Sequence, residues 1–134
     1  MTFRHIASVA VAALAITMSV ASGAQAESRE APRAQCFMSR DWNNWRASPD
    51  ARRIYLRVGP KRVYRLDLAS ACHALRQPGA YLVNRLRGSN WICGPQDLNL
   101  SVAVGRRFES PCIVSGVTLL TPREVEALPR RLRP

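Results

Sequence analysis

Four cysteines, Cys36, Cys72, Cys93 and Cys112, constrain what this chain can fold into more than any other feature, and what they do depends on the compartment. The N-terminus speaks to that. Arg4 and His5 form a short basic start, Ile6 to Val20 is an apolar run, and Ala24-Gln25-Ala26 is a small-x-small cleavage sequence before Glu27. The run is shorter than the roughly 20 residues a spanning helix needs, and no cysteine at the junction offers a lipid attachment point. Residues 1–26 therefore read as a signal peptide cleaved after Ala26, making the product periplasmic or secreted, with no integral membrane segment after processing. There, an even number of cysteines in a small domain reads as two disulfides. The cysteines lie 36, 21 and 19 positions apart, unlike the close pairs of a structural zinc site, so no metal is expected.

Without the leader, 108 of the 134 residues remain, enough for one ordinary domain and too few for two independent cores. Residues 27–35 are polar and contain Pro32, and read as a flexible leader to a single β-rich domain over residues 36–134. Arg53 to Val58 places Ile54, Leu56 and Val58 on one side, and Val63 to Leu68 does the same with Tyr64, Leu66 and Leu68. A three-residue loop, Gly59 to Lys61, pairs Leu56 with Tyr64 and Ile54 with Leu66, while Tyr55 meets Arg65 and Arg53 meets Asp67 on the opposite face. One helical turn is expected at Ala74 to Gln77. A second hairpin is expected from Tyr81–Leu86 and Trp91–Cys93. Leu98 to Val104 alternates cleanly, and Ile113 to Leu120 reads as a last strand bent at Gly116. Thr121-Pro122-Arg123-Glu124 is a capping box opening a helix that Pro129 limits to about two turns. The expected fold is mainly β: a small antiparallel sheet or partly open barrel of about five to six strands with a short C-terminal helix, stapled by two disulfides. If the second hairpin returns the chain to its starting neighbourhood, Cys72 bonds Cys93, leaving Cys36 for Cys112.

The formal charge of +11 favours anionic partners, but Lys61 is the only lysine, and arginine-rich coding alone also gives a soluble basic surface. The densest basic stretch is Arg130-Arg131-Leu132-Arg133. Trp42 and Trp45 offer either core packing, the more usual use in a small domain, or a stacking platform for a sugar or base. The only histidine beyond the leader, His73, adjoins a cysteine. No phosphate-cradling glycine loop, nucleophile elbow or metal-binding helix motif is present. No catalytic residue and no cofactor are therefore expected, although carboxylates brought together in space would suit glycoside hydrolysis.

Cys36-Phe37, Ile54 to Gly59, Val63-Tyr64-Arg65-Leu66-Asp67-Leu68 leading to Cys72, Gly88-Ser89 before Ile92-Cys93, Cys112, and Leu120-Thr121-Pro122 with Glu124-Val125 form a pattern across nearly all of the chain beyond the leader. It resembles a family of small exported proteobacterial proteins catalogued as a domain of unknown function. Prolines often bracket the second cysteine of that family, where Ala71 and His73 flank Cys72 here. The resemblance implies export and a disulfide-bearing β domain, and brings no activity or site residues.

The leading functional expectation is a non-enzymatic binding or envelope-associated protein whose Arg57, Arg65, Arg85 and Arg87 meet an anionic envelope component. Nucleic acid is the less favoured polyanion. The alternatives are an inhibitor or chaperone-like partner of another exported protein, using Trp42, Trp45 or a sheet edge, and a small secreted hydrolase or nuclease.

Overall fold

The computed structural model describes residues 35–134 apart from Arg87 and Arg107. The expected signal peptide, and all of the expected leader except Gln35, lie outside the described residues. The chain is mainly β, and its strands form three antiparallel sheets that do not close into a barrel. In order they are β1 (Phe37–Met38), β2 (Trp42–Ala47), β3 (Arg53–Val58), β4 (Arg62–Leu68), β5 (Ala80–Asn84), β6 (Trp91–Ile92), β7 (Leu100–Val104), β8 (Phe108–Pro111) and β9 (Val114–Leu119), followed by helix α1 (Pro122–Ala127).

The central sheet runs β2-β3-β4-β9, and its hairpin has the register that alternation predicts: Leu56 opposite Tyr64, Ile54 opposite Leu66, Tyr55 opposite Arg65 and Arg53 opposite Asp67. Gly59, at φ +60°, takes the left-handed position in the three-residue loop. Because facing residues share a side, the register sorts this sheet into two faces. Trp42, Trp45, Ile54, Leu56, Tyr64, Leu66 and Leu119 point into the main core, which the three-stranded sheet β5-β7-β8 fills from the other side with Leu82, Leu100 and Val102. Phe37 and Ile92 complete it from the β1-β6 pair, with the Phe37 and Tyr64 ring centroids 4.5 Å apart.

The second face departs from expectation. Tyr55 and Val63, on the side with the charged residues, are buried beneath Leu120 and Leu132, with Val125 and Leu128 packed against them. The C-terminal segment thus covers what the pattern presents as an outer surface. Its helix opens as expected: the Glu124 N–H donates to Thr121 Oγ1, and the Thr121 N–H donates to Glu124 Oε2 at 2.7 Å.

Two expectations are corrected. Tyr81–Leu86 and Trp91–Cys93 do not form a hairpin, because β5 pairs with β7 over five residues, Ala80 with Val104 through Asn84 with Leu100. That partner matches β5 in length and packs buried Val102 and partly buried Leu82 against the core on one side, which two-residue β6 cannot do. β6 pairs instead with β1, Phe37 opposite Ile92, so the flanking Cys36 and Cys93 face one another and bond, their Cα atoms 4.3 Å apart. Cys72, just beyond β4, bonds Cys112, just beyond β8, with Cα atoms 5.7 Å apart. The expected pairing of Cys72 with Cys93 and Cys36 with Cys112 is thereby overturned.

Candidate functional site

Of the four arginines singled out by alternation, the three within the described residues do not form one cationic surface. On the covered face of the central sheet, Arg57 donates from Nη2 to the Pro134 backbone oxygen, and its Nε is buried with no hydrogen-bond partner. Arg65 Nε donates to Asp67 Oδ2 at 3.1 Å. Arg85 follows β5 and grips Glu109 on β8 through two bonds, Nε to Oε1 at 3.2 Å and Nη2 to Oε2 at 2.7 Å. This bidentate contact holds the Glu109 carboxyl below its ordinary range and pushes the Arg85 guanidinium up. Arg87 lies outside the described residues. Two of the four are therefore neutralised by carboxylates, and Arg57 is tied to the tail.

Three other arginines meet around a groove of about 490 Å³ at the free edge of β2: Arg46 on that strand, Arg76 in the short 3₁₀ turn His73–Arg76, and Arg131 in the tail. All three side chains are exposed, and among the described residues none of them stands in an ion pair and no acidic residue lines the groove. Trp45, half-buried against the main core, forms part of its wall.

Local structure fixes this edge. The Ser48 N–H donates to Arg53 O at 2.9 Å, which makes Ser48 and Arg53 a hydrogen-bonded pair. By the alternation of an antiparallel ladder, the backbone groups of Trp45 and Ala47 then turn away from β3 toward the open edge. At Trp45 side chains occupy them: its N–H donates to Asn44 Oδ1 at 2.8 Å, and Arg46 Nη1 donates to its carbonyl at 3.0 Å. The second bond anchors Arg46 beside the groove. The turn leaving β2 is held by the Ser48 hydroxyl, which donates to Asp50 and keeps that carboxyl below its usual range, and by Ala51 at φ 55°. In the 3₁₀ turn, Arg76 Nη2 lies 3.0 Å from His73 Nδ1.

A second groove, of about 540 Å³, runs past the Cys72–Cys112 bridge between His73 and Phe108. Among the described residues its lining holds one ionisable side chain, His73, against three guanidinium groups in the first. The β2-edge groove is accordingly the stronger candidate for a charged ligand. Sequence reasoning missed it, although two signals were present: Arg46 adjoins Trp45, and Arg131 sits in the densest basic stretch. As for the tryptophans, Trp42 and Trp45 pack on the core as its more usual role suggests, whereas Trp91 is the most open, 51% exposed.

Among the described residues, no group of three histidine, cysteine or carboxylate side chains stands together as a metal site, and no helix is long and apolar enough to cross a membrane. The model of the family described as Family of unknown function (DUF6491) matches residues 1–133, and the chain belongs to that family. No curated protein and no solved structure matches the chain.

Proposed function

We propose that this member of a family of unknown function is an exported, non-enzymatic binding protein of the cell envelope, and that it engages an anionic partner through Arg46, Arg76 and Arg131. The carrying observation is the groove itself: three guanidinium groups from three separate segments line one concavity, with no acidic residue lining it among the described residues. Holding like charges together costs Coulomb energy, which a bound anion reverses. Arginine forks suit phosphate and carboxylate, which they grip through paired hydrogen bonds. Two disulfides are compatible with export, and the leader-like N-terminus supports periplasmic or secreted delivery.

The test is titration with polyphosphate at rising salt, using the native protein and the variant Arg46→Glu, Arg76→Glu, Arg131→Glu. Native binding should weaken steeply with salt, since charge supplies most of it. The triple reversal should lower affinity by at least ~1,000-fold, at about tenfold or more for each of the three lost charge-assisted contacts. Reversal of Arg85, already held by Glu109, should change little. Unchanged binding in the triple variant would remove this groove as the site.

A further inference from the structure

We infer that the ligand of the β2-edge groove is a phosphorylated sugar, with its ring against Trp45, its hydroxyls on the Ala47 backbone, and its phosphate among Arg46, Arg76 and Arg131. The inference rests on the anion-binding reading and deepens it. Three observations combine. Among the described residues, Trp45 is the only aromatic lining the groove, and at the free edge of the sheet it packs on the core while staying only partly buried. An aromatic body with one open side receives the apolar face of a ring.

The second observation is the open backbone beside it. At Trp45 the outward N–H and carbonyl are taken by Asn44 and Arg46, but at Ala47, two residues on, the register turns one donor and one acceptor out of the same edge. A donor and an acceptor on one residue match a pair of neighbouring hydroxyls, each of which both gives and receives a hydrogen bond.

Charge supplies the third. Three guanidinium groups exceed what a single carboxylate neutralises, whereas a phosphate monoester carries about −1.5 to −2 near neutral pH and offers three oxygens. The groove's volume of about 490 Å³ lies within the ~300–1,000 Å³ of small-molecule sites.

The experiment is calorimetric titration of the full exported chain at fixed low salt with four probes: inorganic phosphate, a hexose 6-phosphate, the neutral hexose, and a nucleoside monophosphate. The hexose phosphate should bind at least about fivefold more tightly than phosphate, through apolar packing of its ring on the indole and hydrogen bonds to its hydroxyls. The neutral hexose should bind more weakly than either. Trp45→Ala should lower the ratio of hexose phosphate to inorganic phosphate affinity, both measured on the same variant, by at least about threefold. Since Trp45 also touches the core, Trp45→Phe, retaining a smaller ring, should lower that ratio by less and serves if the alanine variant does not fold. Vesicles bearing a phosphorylated glycolipid, run beside the free ester, separate a lipid headgroup from a diffusible source, and tight binding of either supports the inference. Equal affinity for phosphate and hexose phosphate, or tighter binding of the nucleotide, overturns it while leaving the anion site standing. Failure of every phosphate probe brings down the anion-binding reading as well.

Discussion

One face of the central sheet carries Ile54, Leu56, Tyr64 and Leu66, all fully buried, in a core that includes Cys72 and Cys112 and is completed by Phe37 and Ile92 beside the other bridge. The opposite face carries Tyr55 and Val63 beneath Leu120, Leu132 and a six-residue helix, with no bridge in that cluster. The first side joins distant segments covalently; the second is a lid laid down by the last stretch of chain. The candidate groove lies where the two meet around the edge of β2, and its lining includes both Leu75 of the main core and Leu132 of the lid. Loosening either side should therefore disturb the groove, and the two sides should differ in how much stability they hold.

The largest expected effect comes from reduction. The bridges span 57 and 40 positions, and loop-closure entropy assigns each roughly 4 kcal/mol. Losing both would remove most of the ~5–15 kcal/mol that ordinarily separates folded from unfolded chains. Denaturant unfolding with and without reductant should show the protein largely unfolded once reduced. A midpoint that does not move would break the contrast between a covalently held side and a packed one.

Single truncations compare the faces directly. Leu56→Ala, at the centre of the main core, should cost about 3–5 kcal/mol, and Leu132→Ala, under the lid, about 2, the bottom of the usual range. Hydrogen exchange sharpens the test. Leu132→Ala should speed exchange in α1 and the tail while β3 and β4 stay protected, and uniform acceleration would mean that the faces unfold as one unit.

These two faces were not equally legible in the sequence. The hairpin register was readable because a period of two and a three-residue loop leave one pairing that keeps Leu56 with Tyr64 and Arg53 with Asp67. The capping box at Thr121 was readable because it is complete within four residues. What failed was non-local. β5 chooses β7 over the nearer β6, and β6 chooses β1 across more than fifty residues, so the cysteine pairing follows contacts that neither periodicity nor turn chemistry encodes. The lid was hidden by arginines: Leu132 lies among Arg130, Arg131 and Arg133, so the tail reads as solvated although Leu132 is buried. Tyr55 and Val63 on the charged face were the available clue, since two large apolar side chains there require a cover. Of the groove only fragments showed, Arg46 beside Trp45 and the basic tail, because its three arginines come from segments that meet only in the folded chain.

A smaller effect separates the helix from the body it covers. Thr121→Ala removes the acceptor of the Glu124 N–H and should cost about 1 kcal/mol, accompanied by fraying of α1. Main-core amides should exchange at native rates through all but global unfolding. Loss of stability without fraying would place the cap's contribution outside the lid.

Acid should distinguish the regions by the smallest margin. Glu124 on the lid is held below its ordinary value near 4.5 chiefly by the Thr121 N–H and hydroxyl, and Glu109 on the outlying sheet chiefly by hydrogen bonding to Arg85. A carboxylate lowered on folding contributes stability that is fully present above its unfolded value and is lost as pH falls through its folded one. Both contributions should therefore be intact at neutral pH and disappear below about 4.5, with screening keeping each modest at these exposed positions. Carboxyl-carbon NMR should place both midpoints below the ordinary glutamate value. Glu124→Gln should make α1 less sensitive to acid, and Glu109→Gln should do the same for the β7-β8 pairing, because each variant removes the group whose protonation does the damage. If either glutamate titrates at its ordinary value, its hydrogen bonds do not persist in solution, and that region is held by packing alone.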